Sequence, residues 1–144
     1  MAPRGSRDEW PRAARAMNSP APRRAARGLS AERRGRAAEA LAEAALSAAG
    51  WTILGRRLRT AAGEIDLAAE RAGLLAFIEV KSRPSLAAAA AAITPRQQRR
   101  LLAAAAILLG EHPDWGQNGV RFDVVVVSAQ GEIRRITDAF RAEA

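Results

Sequence analysis

Two different periods divide the polar and apolar positions along this chain. Between Ala31 and Ala49 the apolar positions Ala38, Leu41, Ala45 and Ala48 recur at helical spacing. They predict a helix with Ser30 as N-cap, Glu32 in the first turn and Gly50 as a left-handed stop. Trp51 to Arg59 reads as a strand with Trp51, Ile53 and Leu54 turned inward, and Glu64 to Ala69 reads as a second. A short turn ending at Gly73 leads to a third strand, Leu74 to Ser82, which Pro84 stops. The Ala-rich stretch from Leu86 to Ile93 fits neither period. Thr94 and Pro95 open a second helix that runs to about Leu109, where Gly110 is the expected stop. Val120 to Ser128 carries four consecutive valines, Val124 to Val127, the pattern of a strand buried on both faces. After a Gln130-Gly131 turn, Glu132 to Ile136 predicts a short last strand. The order is α-β-β-β-α-β with a final β. It predicts an α/β fold with a mixed central sheet flanked by helices, and shows no internal repeat.

Alternation within the second and third strands gives the first hint of chemistry. In Gly63-Glu64-Ile65-Asp66-Leu67, Glu64 and Asp66 should share one face, and Ile65 and Leu67 the other. In Phe77-Ile78-Glu79-Val80-Lys81, Glu79 and Lys81 should share a face. A hairpin folded about Arg71 sets Glu64 near Glu79 and Asp66 diagonal to it, about 7–8 Å away at the backbone. Two carboxylates and an ammonium on apolar strands are costly unless something compensates them. A divalent cation between Asp66 and Glu79 would do so. Lys81 would then position a water or offset the charge that builds on a phosphate. An isolated Glu-x-Lys is usually an ordinary solvated strand edge; the acid on the preceding strand shifts the balance towards a site.

Composition sharpens this picture. The chain has no Cys and one His, His112, which leaves oxygen donors for a metal and favours Mg²⁺ or Mn²⁺. Of 23 basic residues only Lys81 is a lysine. In a chain that uses Arg for every other cation, this compact, titratable charge stands out. The formal charge is +8, of which residues 1–29 supply seven Arg against Asp8 and Glu9. That segment mixes Pro, Arg, Ala, Gly and Ser without periodicity and predicts a disordered basic tail, with Met17 as an alternative start, ahead of a domain over 30–144. No apolar run approaches the length of a membrane span or a signal peptide, so a cytoplasmic protein with no membrane partner is expected.

Asp66 followed by Glu79-Val80-Lys81 resembles the PD-(D/E)xK nuclease motif, with Glu64 and Ile65 in place of a Pro before Asp66. Gly63 to Leu67, Phe77 to Arg83 and Arg121-Phe122-Asp123-Val124-Val125 together resemble the YraN-like family of bacterial proteins, over about residues 33–141. The resemblance implies a restriction-endonuclease-like αβββαβ core, similar to archaeal Holliday junction resolvases. It further implies a Mg²⁺- or Mn²⁺-dependent DNA endonuclease, with branched DNA among its substrates. Asp66, Glu79 and the Val80 carbonyl would then hold the metal, Lys81 would activate the attacking water, and Glu39 of the first helix would join them. Without the resemblance, Glu39 reads as an i−3 partner of Arg36 on a wet helix face. Arg83, Arg96, Gln98, Arg99 and Arg100 are candidates for phosphate contacts, as is Gln97, and a solvated helix face accounts for them equally well. Asp123 reads as structural, paired with Arg121. Nucleic acid, DNA first, is the expected partner, and a homodimer is compatible with the sequence. Two rivals stay open: a non-catalytic nucleic-acid-binding module and a protein-contact scaffold on the same fold.

The tail reading has a direct check. Deleting residues 1–29 should leave the melting temperature nearly unchanged, and a large drop would mean that the segment docks on the domain.

Overall fold

The computed structural model describes residues 31–87 and 93–141. The tail over 1–29, the Ser30 cap and most of the ambiguous Ala-rich stretch lie outside them. Helix α1 spans Ala31–Ala48 and is followed by β1 (Thr52–Thr60), β2 (Gly63–Arg71) and β3 (Leu74–Arg83). Helix α2 (Pro95–Glu111), β4 (Val120–Ser128) and β5 (Ile133–Phe140) complete the order. The five strands form one mixed sheet in the order β1-β2-β3-β4-β5, antiparallel except where β3 and β4 run parallel.

The helices cover opposite faces of the sheet. Ala38, Ala42, Ala45 and Leu46 of α1 pack on Leu67, Ala69, Ala76, Ile78, Val125 and Val127. Leu101, Ala104, Ala105 and Leu108 of α2 pack on Ile65, Ala68, Leu75, Phe77 and Phe140. The small Ala rows let both helices approach closely, and the large side chains come mainly from the sheet. Val124 to Val127 are all buried, with Val125 and Val127 under α1 and Val124 and Val126 on the other face. A strand covered on both sides explains the unbroken valines.

Local chemistry sets the ends of the elements. Thr94 caps α2: its hydroxyl accepts from the Gln97 N–H while Gln97 Oε1 accepts from the Thr94 N–H, with Pro95 at the first position. Gly110 does not stop this helix, which continues to Glu111 with His112 as C-cap. Gly110 has no left-handed φ, the His112 N–H still reaches Leu108 O, and the break falls at Pro113. The β2–β3 turn is also displaced from the expected position. Arg71 pairs with Leu74, so the turn is Ala72-Gly73, with φ of 53° and 81°, the double left-handed form that suits a two-residue hairpin. The register therefore lies two residues beyond the one predicted. β5 runs to Phe140, past the predicted Ile136, because Phe140 stacks on Phe122 at 4.8 Å.

A buried polar cluster ties β4 and β5 to the start of β1. Asp123 is 1% exposed. It takes a two-pronged contact from Arg121 (2.8 and 2.9 Å), a hydrogen bond from the Asp138 N–H (2.9 Å) and an ion pair with Arg135 (3.6 Å). The guanidiniums of Arg71, Arg121 and Arg135 lie 4.9, 5.5 and 5.3 Å from the ring centre of buried Trp51. Removing one partner of such a buried pair leaves charge without compensation. Asp123→Ala should therefore lower the unfolding free energy by about 3–5 kcal/mol in a urea titration. Arg134→Ala, on the exposed side of β5, should change it little.

Candidate functional site

The β2–β3 ladder stops at Leu67↔Ile78, although both strands continue. Extending its register by one residue sets Asp66 opposite Glu79 rather than diagonal to it. The backbone there is irregular on the other side too. The β1–β2 register pairs Arg56 with Leu67 and Leu58 with Ile65 and skips Arg57 and Asp66, and Arg57 has a left-handed φ of 49°. Strict alternation fails at this point, for Ile65 packs in the α2 cluster and Leu67 in the α1 cluster. Asp66 sits at the twist between them. Its Oδ2 accepts the Val80 N–H at 2.8 Å, taking the place of a strand-to-strand bond.

Asp66 and Glu79 come together at a cavity of about 260 Å³, lined also by Gly63, Glu64, Gln97, Arg100 and Leu101. Glu79 Oε2 lies 3.1 Å from Lys81 Nζ, with both side chains only 17% exposed. Glu79 Oε1 is buried without a hydrogen-bond partner. Burial first, and then the charge of Glu79, push the Asp66 carboxyl up to about 7. The Val80 N–H pulls it back, the close approach of the Glu79 carboxyl raises it again, and the Lys81 charge pulls it down. Burial makes the doubly ionised pair costly, and a shared proton or a cation is the available remedy.

The remaining candidates fall in different places. Glu39 is bound to Arg57 Nε at 3.0 Å and is not part of the cavity lining. That partner is a β1 side chain 18 residues away in sequence. Arg100 and Gln97 line the cavity, whereas Gln98, Arg96 and Arg99 lie on the same helical turn without lining it. Arg83 is half-exposed and donates to the carbonyl of Ser82. Glu64 lines the cavity but is tied to Arg59 at 3.2 Å. Among the described residues no group of three or more His, Cys, Asp or Glu is arranged to hold a metal. The carboxylates at this cavity are Asp66 and Glu79, with Glu64 at its lining engaged by Arg59. No helix among the described residues is long and apolar enough to cross a membrane.

A mixed sheet between two helices, with an acid pair where one hairpin opens, defines an α/β protein with a half-buried acidic cavity. The chain belongs to the family described as "Uncharacterised protein family UPF0102", whose model matches residues 38–127. It is 58% identical to a UPF0102 protein of Granulibacter bethesdensis over 117 residues, covering 81% of this chain and 74% of that one. It is 47% identical to one of Acidiphilium cryptum over 127 residues, covering 88% and 98%. Another, of Parvibaculum lavamentivorans, is 47% identical over 131 residues, covering 91% and 94%.

The raised Asp66 carboxyl makes stability depend on pH in a definite sense. An unfolded Asp titrates near 3.8, and folded Asp66 near 7. Between these values the folded state holds the extra proton, so stability falls as pH rises through that window. Asp66→Asn should flatten the fall, leaving the metal-free variant more stable than wild type above pH 7 and not at pH 4. Urea titrations at the two pH values test this, and an unchanged slope in the variant would place the acid strain elsewhere.

Proposed function

We propose that this protein is a divalent-metal-dependent endonuclease that hydrolyses phosphodiester bonds in DNA, branched or otherwise structured DNA included. The observation that carries the reading is the meeting of Asp66 and Glu79 at one cavity, with Lys81 on Glu79 and one buried Glu79 oxygen left without a partner. The αβββαβ order, with an acid on β2 and Glu-x-Lys on β3, agrees with the restriction-endonuclease-like core that the PD-(D/E)xK resemblance implies.

The donor set fits a hard ion. Two carboxylates are few for a protein-only cage, but Mg²⁺ characteristically takes one or two carboxylates and completes its shell with water and substrate oxygens. Asp66 and Glu79, through Oε1, would hold it, joined by the Val80 carbonyl. The Val80 N–H already points at Asp66, and in an extended strand the carbonyl of a residue faces the same neighbour as its N–H. A bound Mg²⁺ or Mn²⁺ supplies positive charge that polarises the phosphate. Lys81, held by Glu79 Oε2, positions the attacking water and offsets negative charge building on the phosphorus oxygens. The water oxygen bonds to phosphorus, the bond from phosphorus to the leaving sugar oxygen breaks, and that oxygen takes a proton.

Lys81 gives the sharpest test. Arg keeps the charge but is wider and does not give up a proton near neutral pH. Lys81→Arg should abolish most nicking of supercoiled or four-way-junction DNA in Mg²⁺ or Mn²⁺, while DNA binding and melting temperature stay nearly unchanged. Asp66→Ala should also abolish nicking. Wild-type protein that cuts no linear or branched substrate with either metal would favour the binding module on the same fold.

A further inference from the structure

The cavity has two chemically different sides. The sheet supplies Asp66, Glu79 and Glu64; helix α2 supplies Gln97 and Arg100, three residues apart and therefore on one helical face. Gln97 Oε1 is fixed by the Thr94 N–H at 2.9 Å, and its backbone N–H by the Thr94 hydroxyl at 3.1 Å. The cap thus occupies the acceptor end of the amide. What remains is the Nε2 amine, which has donors only. Arg100 makes no hydrogen bond or ion pair among the described residues, so its whole donor fork is open. Both groups also belong to the first turns of α2, where the helix dipole favours negative charge.

We propose that Gln97 and Arg100 form a phosphate clamp, facing the acid pair across the cavity and holding one phosphate of a nucleic-acid backbone. The identification of that anion as a phosphodiester rests on the nuclease reading above. A lone anion would meet the repulsion of Asp66 and Glu79. A phosphate accompanied by a divalent cation satisfies both sides together, with the cation on the carboxylates and the anion on the amide and guanidinium. The capping box thus has a second effect: it orients the amide of Gln97 so that only its donors are offered.

The test uses the full chain, a short fluorescein-labelled DNA duplex and Ca²⁺, read by anisotropy so that binding is measured apart from cleavage. Glu is the usual third residue of a capping box, so Gln97→Glu keeps the cap while replacing the amine with an anion. Gln97→Glu and Arg100→Gln should each weaken duplex binding at least about tenfold, with melting temperatures close to wild type. Arg100→Gln should also reduce the log–log salt slope by about one. Gln97→Glu should tighten Mn²⁺ binding by calorimetry, because it adds a further carboxylate to the cavity, on the side facing Asp66 and Glu79. A residue that only caps the helix would move neither reading. Wild-type affinity for duplex in both variants overturns the clamp, as does unchanged Mn²⁺ affinity in Gln97→Glu or a wild type that binds no duplex. A wild type that binds duplex and loses it in these variants, yet never cuts, upholds the clamp and removes the nuclease reading.

Discussion

The parallel pairing of β3 with β4, from Leu75↔Val120 to Arg83↔Ser128, is the constraint from which the rest of the architecture follows. Two parallel neighbours cannot be joined by a tight turn, so the chain must leave the sheet, cross one face and return to the starting end. Here the crossover contains α2, whose Leu101, Ala104, Ala105 and Leu108 bury the sheet beneath them. That path brings the first turns of α2 over the far end of β3, where Glu79 and Lys81 stand. It also buries β3 and β4 deeply enough that ionisable groups on them need partners. Asp123 finds Arg121, Arg135 and a backbone N–H, whereas Glu79 finds Lys81 with one oxygen only.

These two buried acids show how alike positions reach opposite ends. Asp123 is surrounded by fixed donors, so its charge is matched within the fold, and its place is structural. Asp66 and Glu79 face each other with one backbone N–H and one ammonium between them, which leaves the pair short of positive charge. Burial and mutual repulsion raise the Asp66 carboxyl to about 7.

Much of this was legible in the sequence because it depends on parity and punctuation. The seven elements, the Thr94-Pro95 start of α2, the doubly buried valines and the Asp123–Arg121 pair all follow from local patterns. The meeting of Asp66 and Glu79 was foreseen from a register that was wrong by two residues. A shift of two preserves which face a side chain takes, and so the error did no harm. Where reasoning from pattern failed, long-range geometry decided. Arg57, with its left-handed φ, interrupts β1 opposite Asp66 and separates Ile65 from Leu67. It also takes Glu39, which no spacing rule on α1 could reveal. Gly110 stayed helical because Pro113, not the glycine, ends the helix.

The distribution of cations then acquires a physical sense. Arg serves wherever a broad fork meets a carboxylate or an indole face, as with Arg121 on Asp123 and three guanidiniums around Trp51. At Glu79 the partner must be narrow. A guanidinium there would engage both carboxylate oxygens in the two-pronged manner of Arg121, and Oε1 would no longer be open. A single ammonium binds Oε2 and leaves Oε1 buried without a hydrogen-bond partner. The one lysine in a chain of 22 arginines thus stands where a monodentate charge leaves a buried acid half-satisfied.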